Sequence, residues 1–369
     1  MSFDRKYMER AIELAKKGIG AVNPNPLVGA VIVKDGRVIG EGYHRKYGDL
    51  HAERDAFEHL TEDAEGAEMY VTLEPCCHTG KQPPCVDAII EHKIKRVYVG
   101  SDDPNPLVSG KGYARLREKG IEVVTHFMKD ECDKLNQVFF YYITTGLPYV
   151  VMKYAMTADG KIATSEGKSK WISCEESRKL THSWRNEFTA IMCGIGTVLA
   201  DNPLLNCRIE GGRNPIRIIC DSHLSIPLDS EIVATSGKYR TIVATLESSK
   251  ETAKGKMNAL LTADIELMFL PEEDGEISIN ELMKRLGEMN IDSILLEGGG
   301  TLNWSILRAG YVNEVRTFIA PKLFGGNTAP GPIRGDGVSE VEDSPKLMIY
   351  SFEKVGDDIY VRYLPDESK

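Results

Sequence analysis

The sequence "HAE" at residues 51–53 and "EPCCHTGKQPPC" at residues 74–85 decide how this chain is read. Neutral imidazole and thiolate are preferred zinc donors, and a catalytic zinc keeps three protein ligands and leaves a fourth position for water. His51, Cys76 and Cys85 make such a set. His51 is expected to open one helix, Cys85 to open another after Pro83-Pro84, and Cys76 to follow Pro75 at the end of a strand. Helix N-termini favour negative charge and help to hold a cysteine as thiolate. Cys77 is the rival ligand, and the Pro-Cys placement favours Cys76.

Glu53 is the residue that separates two readings of this set. A structural Cys/His clasp has no use for a carboxylate held beside it. A hydrolytic centre needs one to take a proton from water and return it to a leaving group. The pattern H-x-E…P-C-x-x-C belongs to zinc nucleobase deaminases. Here the first half and the Pro-Cys match, but eight residues separate Cys76 from Cys85. A non-enzymatic zinc module for protein interaction stays open as the alternative. His44 and His78 lie nearby in sequence, either as substrate contacts or as plain loop residues.

Around this core the chain alternates short apolar runs with helical patterns. "GAVIVKDGRVIGEGY" reads as a hairpin turning at Lys34-Asp35-Gly36. "HAERDAFEHL", "CVDAIIEHK" and "GYARLREKG" read as helices, and "EMYVTLEP", "IKRVYVGS" and "IEVVTHF" as strands, a mixed α/β layer. Gly146 and Pro148 punctuate the chain before a new apolar strand. The second part offers the strands "AIMCGIGTV", "IRIICDS", "TIVATL", "SILLEGGG", "EVRTFIAP" and "IYVRYL". Two domains are expected, 1–146 and 147–369, because 369 residues exceed one growing core.

The formal net charge of −10 and the absence of a basic half argue against general nucleic-acid binding. The first residues, "MSFDRKYMERAIELAKKG", lack the apolar core of a signal peptide, and no apolar run is of membrane length. A cytoplasmic protein is expected. Of the eight cysteines, Cys132, Cys174, Cys193, Cys207 and Cys220 are scattered and read as reduced packing residues.

At "HAE", "TLEPCCHTGKQPPC" and "DDPNPLVSGKG" the chain resembles the bifunctional riboflavin-biosynthesis deaminase–reductases, whose cysteine spacing is widened in the same way. The resemblance continues through "PYVVMKYAMTADGKIAT", "SKWIS", "GIGTVLADNPLLNCR", "LLEGGGTLNWS" and "APKLFGG", nearly the whole chain. It implies a cytidine-deaminase-like αβα domain followed by a dihydrofolate-reductase-like α/β domain. It also implies a small-molecule phosphoribosyl-pyrimidine substrate, Zn2+ and NADPH as cofactors, and a homo-oligomer, dimer or tetramer. A cytidine or tRNA-adenosine deaminase fused to an unrelated reductase is the competing enzyme reading. The acidic charge argues against tRNA, and that reading leaves the second domain unexplained.

By motif position the resemblance assigns His51, Cys76 and Cys85 as zinc ligands and Glu53 as the proton shuttle. Asn25 is expected at the base edge, and Asp103, Asn105, Gly110, Lys111 and Gly112 at the ribose and phosphate. In the second domain the glycine run after "ILLE" can bring backbone N–H groups close to a pyrophosphate. It is not G-x-G-x-x-G, so a Rossmann domain is not inferred. Cofactor contact falls on Ala155, Trp171, Thr197, Asp201, Gly299, Gly300, Thr301, Leu302, Asn303, Trp304 and Ser305. Substrate contact falls on Ser169, Arg185, Leu205, Arg208 and Glu297, with Arg185 and Arg208 as phosphate clamps. Lys153, with Asp201, is the candidate for polar help during hydride transfer.

Overall fold

In a computed structural model that describes residues 4–79 and 82–366, the chain divides into two compact units, Met1–Gly146 and Leu147–Lys369. In the first, Asp35 and Gly36 both take positive φ (49° and 75°) and close a two-residue turn between β1 (Gly29–Lys34) and β2 (Arg37–Tyr43). Mirror-image turns of this kind match the twist of paired strands. The sheet is completed by β3 (Glu68–Leu73), β4 (Arg96–Ser101) and β5 (Glu122–Val124), in the order β2-β1-β3-β4-β5. The β1 pairings are antiparallel and the last two are parallel.

Side chains alternate across a strand, so each face of this sheet needs its own cover. Ala30 and Ile32 face α2 (Ala52–Glu58), α3 (Cys85–Glu91) and α4 (Lys111–Glu118), packing with Ala56, Ile89 and Leu116. Val31 and Val33 face α1 (Arg5–Lys16) and α5 (Lys129–Asp133), packing with Met8, Ala11 and Cys132. A last helix, α6 (Gln137–Thr145), ends the unit. Gly42 sets the distance of α2 from β2: a Cβ there would lie 2.2 Å from the Ala56 nitrogen. That close approach fixes where His51 and Glu53 stand.

The second unit begins with β6 (Tyr149–Thr157), α7 (Glu175–Glu187), β7 (Ala190–Gly194), α8 (Ile195–Asp201) and β8 (Ile216–Cys220). It continues with α9 (Glu231–Ala234), β9 (Thr241–Leu246), α10 (Ser249–Thr252), α11 (Lys254–Thr262) and β10 (Ile265–Leu270). A short hairpin of β11 (Glu272–Glu273) and β12 (Glu276–Ile277) precedes α12 (Ile279–Glu288), β13 (Ser293–Leu296), α13 (Gly300–Arg308) and β14 (Val312–Ala320). A final hairpin pairs β15 (Leu347–Val355) with β16 (Asp358–Pro365). The large sheet runs β10-β9-β8-β7-β13-β6-β14-β16-β15, parallel from β10 to β14.

Its two faces are again separate cores. Met192, Ile218 and Ile242 pack with Leu282, Leu286 and Ile306, whereas Ile191, Ile219 and Val243 pack with Val198, Ile232 and Leu260. Strand β13 returns from the far end of the chain to lie between β7 and β6. The carboxyl ends of these strands therefore meet at a reversal of strand order, where open α/β sheets bind ligands.

Two sequence expectations are corrected here. "AIMCGIGTV" is strand only to Gly194, because the backbone turns at that N-cap and Thr197 belongs to α8. "SILLEGGG" likewise ends as strand at Leu296, and Gly300 already opens α13. The helices α5 and α6 and the strand β15 had no reading at all; β15 is exposed at every residue except its last, so it lacks the alternation that marks a strand.

Candidate metal and cofactor sites

Two helix starts converge on the end of β3. His51 is the N-cap of α2 and Cys85 the first residue of α3, after the Pro84 N-cap. Arg54 in α2 donates to the carbonyls of Pro83 and Pro84 at 3.1 and 2.9 Å, which ties the two helix starts together. His51 Nδ1 lies 3.4 Å from Cys76 Sγ and 3.4 Å from Cys85 Sγ. These three ligand atoms all lie within 4.8 Å of one another. The Cys85 N–H, at the head of α3, points at Cys76 Sγ at 3.4 Å. Hydrogen bonding from Cys85, followed by His51, holds the Cys76 thiol at about 4, so it is a ready thiolate. Cys77 turns away toward the Leu107 carbonyl at 3.7 Å and does not join the set.

Glu53 is the second residue of α2 and is buried. Burial, and next the charge on Cys76, raise its carboxyl above the usual range, while His51 opposes them. A carboxyl of raised proton affinity is the better suited to take a proton from water and hand it on. Asn25 Nδ2 lies 3.1 Å from His44 Nε2, and His44 Nδ1 lies 2.9 Å from the Leu50 carbonyl. The carbonyl requires the proton on Nδ1, so Nε2 accepts from the Asn25 amide. His44 was open between substrate and loop roles; its geometry makes it the orienter of Asn25.

In the loop before α4, Asp103 Oδ1 accepts from the Asn105 N–H at 2.8 Å and Asn105 Oδ1 from the Leu107 N–H at 3.0 Å. Lys111 is exposed, its Nζ 2.8 Å from the Pro106 carbonyl. The loop is thus held in part by its own side chains, and the Lys111 side chain lies exposed at its rim.

In the second unit, Glu297 follows β13 and receives Arg185 through both oxygens, at 2.7 and 3.0 Å. Lys153 Nζ, from β6, lies 3.6 Å from the same carboxylate. Burial alone would raise Glu297; Arg185 and then Lys153 overcome it and hold it at about 2. Burial pushes the Lys153 ammonium below its usual value, opposed by Glu297. Arg185 also donates to the Asn206 carbonyl at 3.1 Å, so its guanidinium is committed within the protein. Arg208 is exposed and Leu205 is buried with φ +52°. Ser169 Oγ donates to Asp201 Oδ1 at 2.9 Å, Trp171 is exposed with Arg178 stacked on its ring, and Ala155 lies two residues beyond Lys153 on β6.

Residues 148–361 match the family described as the RibD C-terminal domain, and residues 1–101 match the cytidine and deoxycytidylate deaminase zinc-binding region. The riboflavin biosynthesis protein RibD of Actinobacillus pleuropneumoniae is 50% identical over 361 residues, 98% of this chain and 95% of that protein. The chain belongs to the RibD family. A solved Thermotoga maritima structure, a diaminohydroxyphosphoribosylaminopyrimidine deaminase/5-amino-6-(5-phosphoribosylamino)uracil reductase, matches with TM-score 0.87 at 41% identity over 98% of each chain. Acinetobacter baumannii RibD matches with TM-score 0.87 at 35% identity over 99% of each. As a RibD, this chain is a bifunctional riboflavin-biosynthesis enzyme with a zinc-binding deaminase region and a reductase region that uses NADPH. Its fold is accordingly a cytidine-deaminase-like layer followed by the RibD reductase fold.

The residues present fit both RibD cofactors. With Zn–N near 2.0 Å and Zn–S near 2.3 Å, tetrahedral ligands stand about 3.5 Å apart, N to S; the two observed separations are 3.4 Å. For the nucleotide, α13 starts at Gly299-Gly300 with no side-chain cap, and a Cβ on Gly299 would sit 3.3 Å from Thr197 Oγ1. Uncapped N–H groups at a glycine helix start suit a pyrophosphate. Asn303 Oδ1 and Trp304 Nε1, on the same helix, are buried without a hydrogen-bond partner among the described residues.

Proposed function

We propose that residues 1–146 carry the deaminase and residues 147–369 the reductase, acting in turn on one phosphoribosyl-pyrimidine. The first would remove the 2-amino group of 2,5-diamino-6-ribosylamino-4(3H)-pyrimidinone 5′-phosphate as ammonia. The second would reduce the ribosylamino group to ribitylamino. The observation that carries the deaminase is Glu53, buried on the same helix start that presents His51, with Cys76 and Cys85 in ligand reach. A clasp that served only structure would not bury an acid there.

His51, Cys76 and Cys85 hold the zinc, which when bound supplies the activation of water at neutral pH. Glu53 takes one proton from the attacking water and gives it to a ring nitrogen as the C–O bond forms, then takes the remaining hydroxyl proton and gives it to the departing amine. The C–N bond then breaks as the new C–O bond becomes a carbonyl, and the amine leaves as ammonia. Asn25, its amide fixed by His44, presents Oδ1 to the base edge. Asp103, Asn105 and Lys111 receive the ribose phosphate, Lys111 exchanging the Pro106 carbonyl for the anion.

In the reductase, Gly299, Gly300, Thr301, Leu302, Asn303, Trp304 and Ser305 hold the nucleotide phosphates, with Ala155, Trp171, Thr197 and Asp201 along its length. NADPH, when bound, supplies the hydride. Glu297 keeps Lys153 aimed into the site, and Lys153 with Asp201 provides the polar surroundings of the reacting carbon. Ser169 and Leu205 line the substrate. Arg208 meets its phosphate, whereas Arg185 contributes by fixing Glu297.

In this reading the protein works in the cytoplasm as a homo-oligomer, dimer or tetramer. Support for self-association comes from β15, which exposes Met348, Ile349, Tyr350 and Phe352 at the sheet edge, an edge that proteins ordinarily cover. No helix among the described residues is long and apolar enough to cross a membrane. The test is direct: incubation with the diaminopyrimidine phosphate should release ammonia without NADPH, and NADPH should be oxidised only once the deaminated intermediate is present. NADPH oxidation with no ammonia released would overturn the order of steps.

A further inference from the structure

We propose that Glu74 is a positioning residue for the deaminase: its carboxylate shapes the ribose-phosphate loop and occupies the start of α4, which leaves the phosphate to side chains. The inference rests on the reading of residues 103–112 as the phosphate contact.

Glu74 follows β3 and precedes Pro75-Cys76, so one short turn carries both a metal ligand and this acid. Its N–H bonds the Ser101 carbonyl at 3.0 Å, which locks the turn to the end of β4. The side chain is 3% exposed. Oε2 accepts from the Gly110 N–H and Oε1 from the Gly112 N–H, each at 3.1 Å. The N–H groups of Tyr113 and Asp103 face the same carboxylate and favour its charge. Among the described residues, the hydrogen bonds to the carboxylate come from main-chain donors at the start of α4.

Both loop glycines serve this arrangement. Gly110 has φ +75°, which bends the chain so that its N–H faces inward. A Cβ on Gly112 would lie 2.4 Å from the Pro75 carbonyl oxygen and 3.1 Å from Glu74 Oε1. Read as sequence, "SGKG" at a helix start suggests phosphate on the helix N–H groups. In the fold those N–H groups already serve an internal anion. A second anion there would meet like charge, so the phosphate is met outside, by the Lys111 ammonium and the Asn105 amide.

A carboxylate is needed because it accepts only; an amide would set an NH2 group against one of the main-chain donors. Glu74→Gln in the full zinc-loaded enzyme tests this, assayed on the phosphorylated substrate and on its dephosphorylated analogue. The expected result is retained zinc, reduction of supplied intermediate within about twofold of wild type, and KM for the phosphorylated substrate raised on the order of tenfold, as for a displaced binding group. The analogue should change by less than about threefold in kcat/KM, so the preference for phosphate collapses. Lys111→Ala should collapse it too, and the double variant should add little to either single one.

Preserved phosphate preference in Glu74→Gln, with Lys111→Ala defective, would overturn this inference alone. Preserved preference in both would overturn the phosphate-loop reading, and this inference with it. Loss of zinc with phosphate preference intact would assign Glu74 to the metal turn and also overturn it. If Glu74→Gln does not accumulate folded, Glu74→Asp keeps both acceptors, withdraws them by one methylene, and is read by the same ratios.

Discussion

Asn25 and His44 meet through the amide Nδ2 and the ring Nε2, 3.1 Å apart, and in the proposed mechanism that contact sets which edge of the amide faces the base. His44 is buried, and burial lowers its pKa, so the ring stays neutral and keeps Nε2 as an acceptor. His44→Ala frees Asn25 to rotate. Misplacement of a substrate-positioning group costs about 10²-fold, so kcat/KM for deamination should fall by roughly that factor with zinc content unchanged. Deamination within about twofold of wild type would show that Asn25 needs no orienter.

Metal content should separate the adjacent cysteines. Cys76 faces His51 and Cys85, whereas Cys77 bonds a loop carbonyl. Cys76→Ser should lose the one zinc per chain and Cys77→Ser should keep most of it, measured by atomic absorption after dialysis. The opposite order would reassign the ligand.

Glu53→Gln should abolish deamination while zinc and the reductase survive. The amide nearly copies the shape of the acid but cannot accept the water's proton or deliver one to the amine. General acid–base groups contribute about 10²–10⁴-fold, and two transfers through one residue favour the upper end. Single-turnover ammonia release measures the defect, with reduction of supplied intermediate as internal control. Ammonia released within about threefold of wild type would remove Glu53 from the mechanism.

The Arg185–Glu297–Lys153 group should govern the acid stability of the reductase unit. The folded pKa of Glu297, about 2, lies below the ~4.3 of a free glutamate. Its contribution is therefore complete above about pH 4.3 and is lost as pH falls through about 2. Glu297→Gln leaves two half-buried cations without their partner and should cost up to about 3 kcal/mol at neutral pH. Calorimetry from pH 7 to pH 2 should show the variant's deficit shrinking below about pH 4. A deficit that stays constant with pH would rule the ion group out as its source.

Much of this protein is written locally in the sequence. The turn at Asp35-Gly36, the helix starts at His51 and Cys85 and the run after β13 are legible because turns, caps and glycine conformations depend on neighbouring residues. The same holds for the metal set: residue type and Pro-Cys placement point to His51, Cys76 and Cys85, whose ligand atoms lie within 4.8 Å of one another. The motifs likewise carried the family and its two cofactors.

What only the tertiary structure decided involves partners far apart in the chain. Glu297 meets Arg185, 112 residues away, Glu74 meets Gly112 across 38, and Asn25 takes its orientation from His44 across 19. No periodicity announces such pairs, because they form only when separate elements pack and a buried polar group must find whatever donor or acceptor lies opposite. The insertion of β13 between β7 and β6 has the same origin, since strand order is set by how helices cover both faces and not by any one strand's residues. So the sequence by itself pointed to the candidate groups, while packing chose which of them meet each other: Arg185, a phosphate clamp in the sequence reading, has Glu297 against two of its nitrogens.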